Sequence, residues 1–322
     1  MLDLNALSQV TSIVCHDNCA DGVVSAMLLS DALPQAKVQF CQYGNQQLAL
    51  EVQPSMLFCD FAPHESRAPA FIAAGALILD HHKSARDVVA AFGARGIFGD
   101  EIAEPGVSGA VLAYRHVWLP LAGIRDKQDA EVAFAEEIAA LTGIRDTWQK
   151  QSPDWNTACE LAESIKFFSQ QSWLVRDPFA PQKRSWWTSR LSVGQRLVER
   201  RHETVVKALN GAYRFTSTGG TRCVLFPGVR LTSDASEAEG RGADLVVGFD
   251  YFAIEDGQAA LGYSLRSNSS GFDCAAFCSA MGGGGHTKAA GFTVFFDPTL
   301  GVSDPFSLFQ TRVAQYEAET GL

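Results

Sequence analysis

Residues 78–84 read ILDHHKS, an apolar run that closes on an acid and two adjacent histidines. The run before it, Gly75 to Leu79 (GALIL), is short, continuous and opened by glycine, which is the pattern of a buried strand. Asp80 then stands at the strand's carboxyl end, where open α/β sheets bind their ligands. A plainer reading of the same residues makes Asp80 the N-cap of a helix beginning near Lys83 and one histidine a hydrogen-bonded core residue. Two further segments bear on the choice, and both repeat the arrangement of an apolar strand ending in potential ligands.

The first is SIVC, which runs into HDNCADGVVSA and packs His16, Asp17, Asn18, Cys19 and Asp21 into a turn before Gly22 lets a helix start. The second is SMLFCD, which ends in Asp60, otherwise a simple turn aspartate ahead of Pro63. If the three strand ends are neighbours in a parallel sheet, His16, Asp21, Asp60, Asp80, His81 and His82 share one crevice. Carboxylates crowded there repel one another, and bound cations relieve the repulsion. Imidazole and carboxylate donors without an obvious thiolate set favour manganese or a similar divalent ion over structural zinc. Two ions about 3.5–4 Å apart could share one carboxylate and activate a water for in-line attack on phosphorus.

The surrounding chain fits such a sheet. Its 322 residues are 47% hydrophobic and 19% charged, enough for two packed domains. From Thr11 to about Trp148, strand-like runs (SIVC, KVQFC, SMLFCD, ALILD) alternate with helix-like segments such as GVVSAMLLSDAL, which predicts an α/β, doubly wound, parallel-sheet domain over 1–150. Residues 151–205 carry amphipathic stretches and read as a helical linker. GAYRFTSTG, RCVLFP, DLVVGFDYFAIED and AALGYSLRS then read as strands of a smaller, more antiparallel C-terminal α/β domain over 206–322. The start, MLDLNALSQVTSIVCHD, lacks a basic leader, and no apolar run approaches the ~18 residues of a membrane span, so a cytoplasmic protein without membrane contact is expected. Eight cysteines without a CxxC pair are expected to be reduced thiols. A net charge of −10 argues against a broad nucleic-acid surface and for a local phosphate site.

These motifs carry a family resemblance. HDNCADG, the Asp60 turn in FCDFAP, and LILDHHKS resemble the first three motifs of the DHH phosphoesterase superfamily, which includes RecJ-like and short-RNA exonucleases, cyclic-dinucleotide phosphodiesterases and family II pyrophosphatases. EEIAALTGIRDTW is similar to the fourth motif and points to Asp146, which could otherwise be a helix-end acid beside a core Trp148. YSLRSNSSGFDCAAFCSAMGGGGHTKAAGF resembles the DHH-associated C-terminal domain. The resemblance implies that Asp60 bridges two metal ions, that His16 completes the first position, and that Asp21, His81 and Asp146 complete the second. It places His82 beside the scissile phosphate as a catalytic donor, and Asp80, with Asp17, behind the ligands as orienting acceptors. One departure stands out: many members have D-x-D before the motif I glycine, whereas this chain has Cys19-Ala20-Asp21, so the first position lacks a carboxylate that Asp17 or Asn18 would have to replace.

In the C-terminal part, Gly283, Gly284 and Gly285 with the preceding Gly282 could present backbone N–H groups as an anion nest, with His286 and Arg266 adding side-chain donors. The plainer readings are a tight turn packed by Ala289 and Ala290, and a surface strand arginine. KRSWWTSRLSVGQRLVERR at 183–201 interleaves six basic residues with Trp186 and Trp187, as a segment tracking nucleic acid would, or as a solvated helix whose tryptophans pack inward. The implied activity is a manganese-dependent phosphodiesterase, with Mg2+ or Co2+ as substitutes, that shortens oligonucleotides or dinucleotides. Cyclic dinucleotides, 3'-phosphonucleotides or pyrophosphate are alternative substrates, and a nucleotide-binding regulator without turnover is the alternative outside enzymes. The expected partner is short nucleic acid or nucleotide, with homo-oligomerisation open.

Overall fold

The computed structural model describes residues 2–100, 102–253, 259–269, 271–296 and 304–321. The chain divides into two compact units, Met1–Val198 and Glu199–Leu322. In chain order the first unit begins α1 (Leu4–Ser8), β1 (Ser12–His16), α2 (Ala20–Ala32), β2 (Lys37–Cys41), α3 (Asn45–Ala49), β3 (Met56–Cys59), α4 (Ala68–Ala73) and β4 (Leu77–Asp80). It continues with α5 (Arg86–Ala91), β5 (Gly96–Phe98), α6 (Gly109–Ala113), α7 (Leu119–Ala122), α8 (Asp129–Asp146) and α9 (Trp155–Phe167). The boundary between the units falls within α10 (Arg184–Asn210).

Five strands form one parallel sheet in the order β2-β1-β3-β4-β5. This is the doubly wound arrangement that the alternating sequence predicts, and its direction reverses between β1 and β3. Helices on both faces explain why the strands are continuous apolar runs. Ile13, Cys15, Leu57 and Leu79 enter one apolar cluster, whereas Val14, Phe58 and Ile78 enter the cluster on the opposite face. The edge strand β5 has three half-buried residues, too short a run to announce itself in sequence.

Helix α2 is buried nearly all round, which its lack of a polar stripe requires. Its buried Asp31 accepts from the Trp118 indole at 2.8 Å and lies 3.2 Å from Lys127 Nζ. Residues 151–198, expected to be part of a linker, instead complete this core: Leu161, Trp173, Phe179 and Trp187 join the same cluster as Ile13 and Val23. Trp187 is 1% exposed and donates to the Pro178 carbonyl at 2.7 Å, so it is no stacking platform for a base. The Arg190 guanidinium lies 4.5 Å above the Trp186 ring and 4.4 Å above Trp173, which uses its charge to cover apolar surface.

The second unit holds a six-stranded sheet of β6 (Tyr213–Thr216), β7 (Arg222–Pro227), β8 (Leu245–Ala253), β9 (Ala259–Ser267), β10 (Gly284–His286) and β11 (Ala289–Phe296), in the order β10-β11-β9-β8-β7-β6. The pair β7–β8 is parallel and the others are antiparallel. The end of the predicted run at 254–256 lies outside the described residues. Helices α12 (Cys274–Ala280) and α13 (Pro305–Thr320) cover one face and α11 (Thr232–Glu239) the other, giving two apolar clusters.

The turn from β1 into α2 is the tightest point near the strand ends. A Cβ on Gly22 would lie 2.2 Å from the His16 carbonyl oxygen, with backbone on both sides of the contact. Gly22→Ala is therefore expected to cost about 1–3 kcal/mol or more of unfolding free energy. Gly123→Ala, where an added Cβ meets nothing within 4 Å, should stay within about 0.5 kcal/mol. Urea denaturation of the two variants beside the parent chain checks the contrast, and equal stabilities would refute the steric account.

Candidate metal centre

The carboxyl ends of β1, β3 and β4 lie side by side in the sheet, with Cys15 in register with Cys59 and Cys59 with Leu79. The residues that follow are thereby delivered to one place. Asp60 leaves β3 with φ +57°, a left-handed backbone that aspartate tolerates better than most residues, while its N–H still bonds to the Leu79 carbonyl at 3.0 Å. His81 follows β4, Asp21 opens α2, and Asp146 closes α8.

His81 Nε2 is the common neighbour of three carboxylates: Asp60 Oδ1 at 3.2 Å, Asp146 Oδ2 at 3.4 Å and Asp21 Oδ2 at 3.5 Å. Asp60 turns its other oxygen, Oδ2, toward His16 Nδ1 at 3.9 Å. Ligand atoms of Asp21, His81 and Asp146 lie within 4.8 Å of one another, as do those of His16, Cys19 and Asp60, and those of Asp60, His81 and His82. The structure thus brings together the candidate ligands named from the motifs, and Asp60 sits between two groups of potential donors.

Asp21 and Asp60 are both buried, yet their surroundings differ. Asp21 accepts from Ser108 Oγ at 2.7 Å and from the backbone N–H groups of Gly109 at 2.6 Å and Ala110 at 2.9 Å. Asp60 Oδ2 and His16 Nδ1 have no hydrogen-bond partner among the described residues. Burial, then the charges of Asp21 and Asp146, hold the Asp60 carboxyl well above the ordinary carboxylate range. Burial and the neighbouring His82 lower the pKa of His16, leaving its imidazole neutral and able to donate a lone pair. Enclosed carboxylates with a partnerless oxygen, beside the neutral His16 imidazole, fit a pair of divalent ions.

Asp80, 0% exposed, works from behind: its Oδ1 accepts from the peptide N–H groups of His81 at 2.7 Å and His82 at 2.9 Å, and meets His82 Nδ1 at 2.8 Å. The short 3-10 turn Lys83–Ala85 follows, with His82 at its cap position, so the N-cap reading of Asp80 does not apply. Burial lowers the pKa of His82, but the hydrogen bond and charge of Asp80 outweigh it and the net shift is upward. Asp17 does not replace the missing motif I carboxylate. Its oxygens meet Gln170 Nε2 at 2.5 Å and Asn18 Nδ2 at 3.2 Å, and it belongs to none of the ligand groups among the described residues.

Several site residues were not legible in the sequence. Ser108 and Gly109 sit in GVSGAVL, where an N-cap serine before an apolar run marks a helix start but not what it faces. A Cβ on Gly109 would lie 2.4 Å from Asp60 Cβ. Tyr43, 5.1 Å from the His16 ring and 6.3 Å from His82, follows β2 without any motif. A cavity of about 240 Å³ opens beside Asp21 and Asp146, walled by Arg145, Trp148 and Lys166, and a second of about 510 Å³ also borders Asn18, Cys19 and Lys166.

In the second unit the glycine tract divides. Gly282, at φ +76°, and Gly283 donate back to the carbonyls of Ser279 at 3.0 Å and Cys278 at 2.8 Å, closing α12 with a left-handed cap. Their N–H groups are consumed, so Gly283 offers no nest donor. Gly284, Gly285 and His286 form the exposed edge strand β10 paired with β11. Half-buried Arg266 is held by Ser233 Oγ at 3.1 Å and the Leu265 carbonyl at 2.8 Å.

No protein-family model and no curated protein matches the chain by sequence. Solved structures do share its fold. A DHH-domain protein described as a member of the s1p family of ribosomal proteins is 13% identical, covers 97% of this chain and 87% of its own, and superposes with a TM-score of 0.55. A pGpG-specific phosphodiesterase, PggH, from Vibrio cholerae is 14% identical over 94% of this chain and 98% of its own, at 0.46. RecJ from Thermus thermophilus, solved with Mg2+, is 17% identical over 98% of this chain and 51% of its own, at 0.44. The first of these likenesses establishes that the chain has a DHH-domain fold.

The raised pKa of Asp60 has a direct effect on stability. An acid whose folded pKa lies above its unfolded value costs stability as pH rises past the unfolded value, about 3.9, because the folded state resists ionisation. At neutral pH, Asp60→Asn should therefore melt above the parent protein when both are metal-free. Manganese at a hundredfold its Kd should reverse the order by adding about 2.7 kcal/mol to the parent and little to the variant. Calorimetric melts with and without ion check this, and a metal-free variant that melts lower would refute the repulsion.

Proposed function

We propose that this DHH-fold chain is a manganese-dependent phosphodiesterase that hydrolyses short oligonucleotides, dinucleotides included. The observation that carries the reading is the division of Asp60 between two donor sets, Oδ1 toward His81 and Oδ2 toward His16. That division is what a carboxylate shared by two ions needs, with His16 completing one position and Asp21, His81 and Asp146 the other. Two divalent ions held there would neutralise charge on the phosphoryl oxygens and activate water for attack.

The chain's own residues supply the rest. Asp21 is fixed by Ser108, Gly109 and Ala110, so it has little freedom to swing when charge redistributes. Asp80 fixes the His82 ring through Nδ1, which leaves Nε2 to donate to the phosphoryl or leaving oxygen. The upward shift of His82 keeps that donor protonated to higher pH than an ordinary imidazole. Arg145, its guanidinium 4.4 Å from the Trp148 ring, and Lys166 line the cavity beside Asp21 and Asp146 with two cations and an indole, a combination suited to phosphate and base. Arg266 and His286 are proposed to contact a non-reacting phosphate, with the exposed edge of Gly284 and Gly285 adding backbone donors.

Hydrolysis of dinucleotides, cyclic dinucleotides, 3'-phosphoadenosine phosphate and pyrophosphate with manganese tests the substrate class. Linear dinucleotides should turn over fastest; preference for pyrophosphate, or turnover of none, would overturn it. His82→Gln should lower kcat about a hundredfold or more with KM nearly unchanged. Arg266→Ala should raise KM about ten- to a hundredfold with kcat preserved, since a charged hydrogen bond contributes about 1.5–3 kcal/mol.

A further inference from the structure

We infer that Cys19 is a thiolate ligand at the His16–Asp60 position, so that this centre pairs one thiophilic position with one oxygen-rich position. The inference rests on the reading that the crevice holds two divalent ions and concerns which ions they are. Three observations carry it. Cys19, His16 and Asp60 each place a ligand atom within 4.8 Å of the others. Asp60, 1% exposed, and His16 both direct an atom into this cluster, Oδ2 and Nδ1, that has no hydrogen-bond partner among the described residues. The carboxylate that could have served instead, Asp17, is engaged by Gln170 and Asn18.

The donor sets then differ in kind. Asp21, His81 and Asp146, with Asp60, offer one nitrogen among carboxylate oxygens, which suits manganese or magnesium. His16, Cys19 and Asp60 offer nitrogen, sulfur and oxygen, and a thiolate selects zinc, cobalt or another thiophilic ion. On binding, the Cys19 sulfur gives up its proton to solvent and donates its electron pair to the ion. The aspartate expected at this position by the motif would make both positions alike, so the single cysteine is what separates them.

Metal-free full-length protein titrated with Co2+, followed by absorption and calorimetry, tests the assignment. The parent should develop a sulfur-to-cobalt charge-transfer band in the near ultraviolet, and Cys19→Ser and Cys19→Asp should lack it. Cys19→Asp should also lower the ratio of zinc to manganese affinity at this position by about tenfold or more. Cobalt bound without the band, or a band surviving in Cys19→Ser, overturns the inference; survival would move the sulfur to Cys15 or Cys59, buried in β1 and β3. If Cys19→Ser loses its circular-dichroism signal, cadmium NMR of the parent protein decides: a sulfur-ligated shift is expected, and a shift set by nitrogen and oxygen alone refutes it. Dinucleotide hydrolysis without the band would remove the thiolate and keep the catalytic reading. The band without hydrolysis of any substrate would remove the catalytic reading and keep the thiolate.

Discussion

Asp60 is a carboxylate enclosed in protein, facing Asp21 and Asp146, with one oxygen left without a hydrogen-bond partner among the described residues. Desolvation and like charge both oppose its ionisation, so the carboxyl either keeps its proton or takes a compensating cation from outside the chain. The surrounding architecture serves that one constraint. Parallel strands in register bring Asp60 beside His16 and the two histidines after β4. Glycine at 109 allows α6 to come within contact of the Asp60 side chain, and glycine at 22 lets α2 start directly over the end of β1.

The neighbouring acid shows what compensation from within the chain looks like. Asp21 has its oxygens occupied by a hydroxyl and two backbone N–H groups at the start of α6, so its charge is anchored by the protein itself. Asp80 holds two peptide N–H groups and the His82 ring with a single oxygen. Asp21 is therefore a fixed strut, and Asp80 is anchored through Oδ1 alone, its Oδ2 lacking a partner among the described residues as Asp60 Oδ2 and His16 Nδ1 do. Asp60 Oδ2 and His16 Nδ1, partnerless and 3.9 Å apart, are where a cation would relieve the repulsion.

The second unit illustrates how one composition signal can conceal two structures. Four consecutive glycines read as a single anion nest, yet the first two close α12 by returning their N–H groups to its last carbonyls, and the next two enter an edge strand. Both uses need glycine for different reasons: a left-handed cap at Gly282, and a close approach at Gly285, where a Cβ would lie 2.5 Å from Ala290 Cα. The basic tryptophan segment behaves likewise. Trp187 is core, and Arg190 spreads its guanidinium over Phe168, Trp173 and Trp186, so a pattern compatible with nucleic-acid binding is mainly packing.

The sequence by itself determined the doubly wound sheet and the identity of the acids and histidines at its strand ends. Continuous apolar runs can be buried only on both faces, and a ligand-rich turn directly after such a run can only project from the sheet's edge. Residues adjacent in sequence to a strand end, such as His16, Asp60 and His81, were legible for that reason. What only the tertiary structure decided are relations between segments without a common local signal. Ser108 and Gly109 meet Asp21 across 87 and 88 residues, and Gln170 meets Asp17 across 153. The affiliation of residues 151–198 with the first unit was equally hidden, because an amphipathic helix shows that it has an apolar face but not which core that face will enter. That Gln170 engages Asp17, while Cys19 lies within 4.8 Å of His16 and Asp60 ligand atoms, was hidden for the same reason, since it depends on a distant segment.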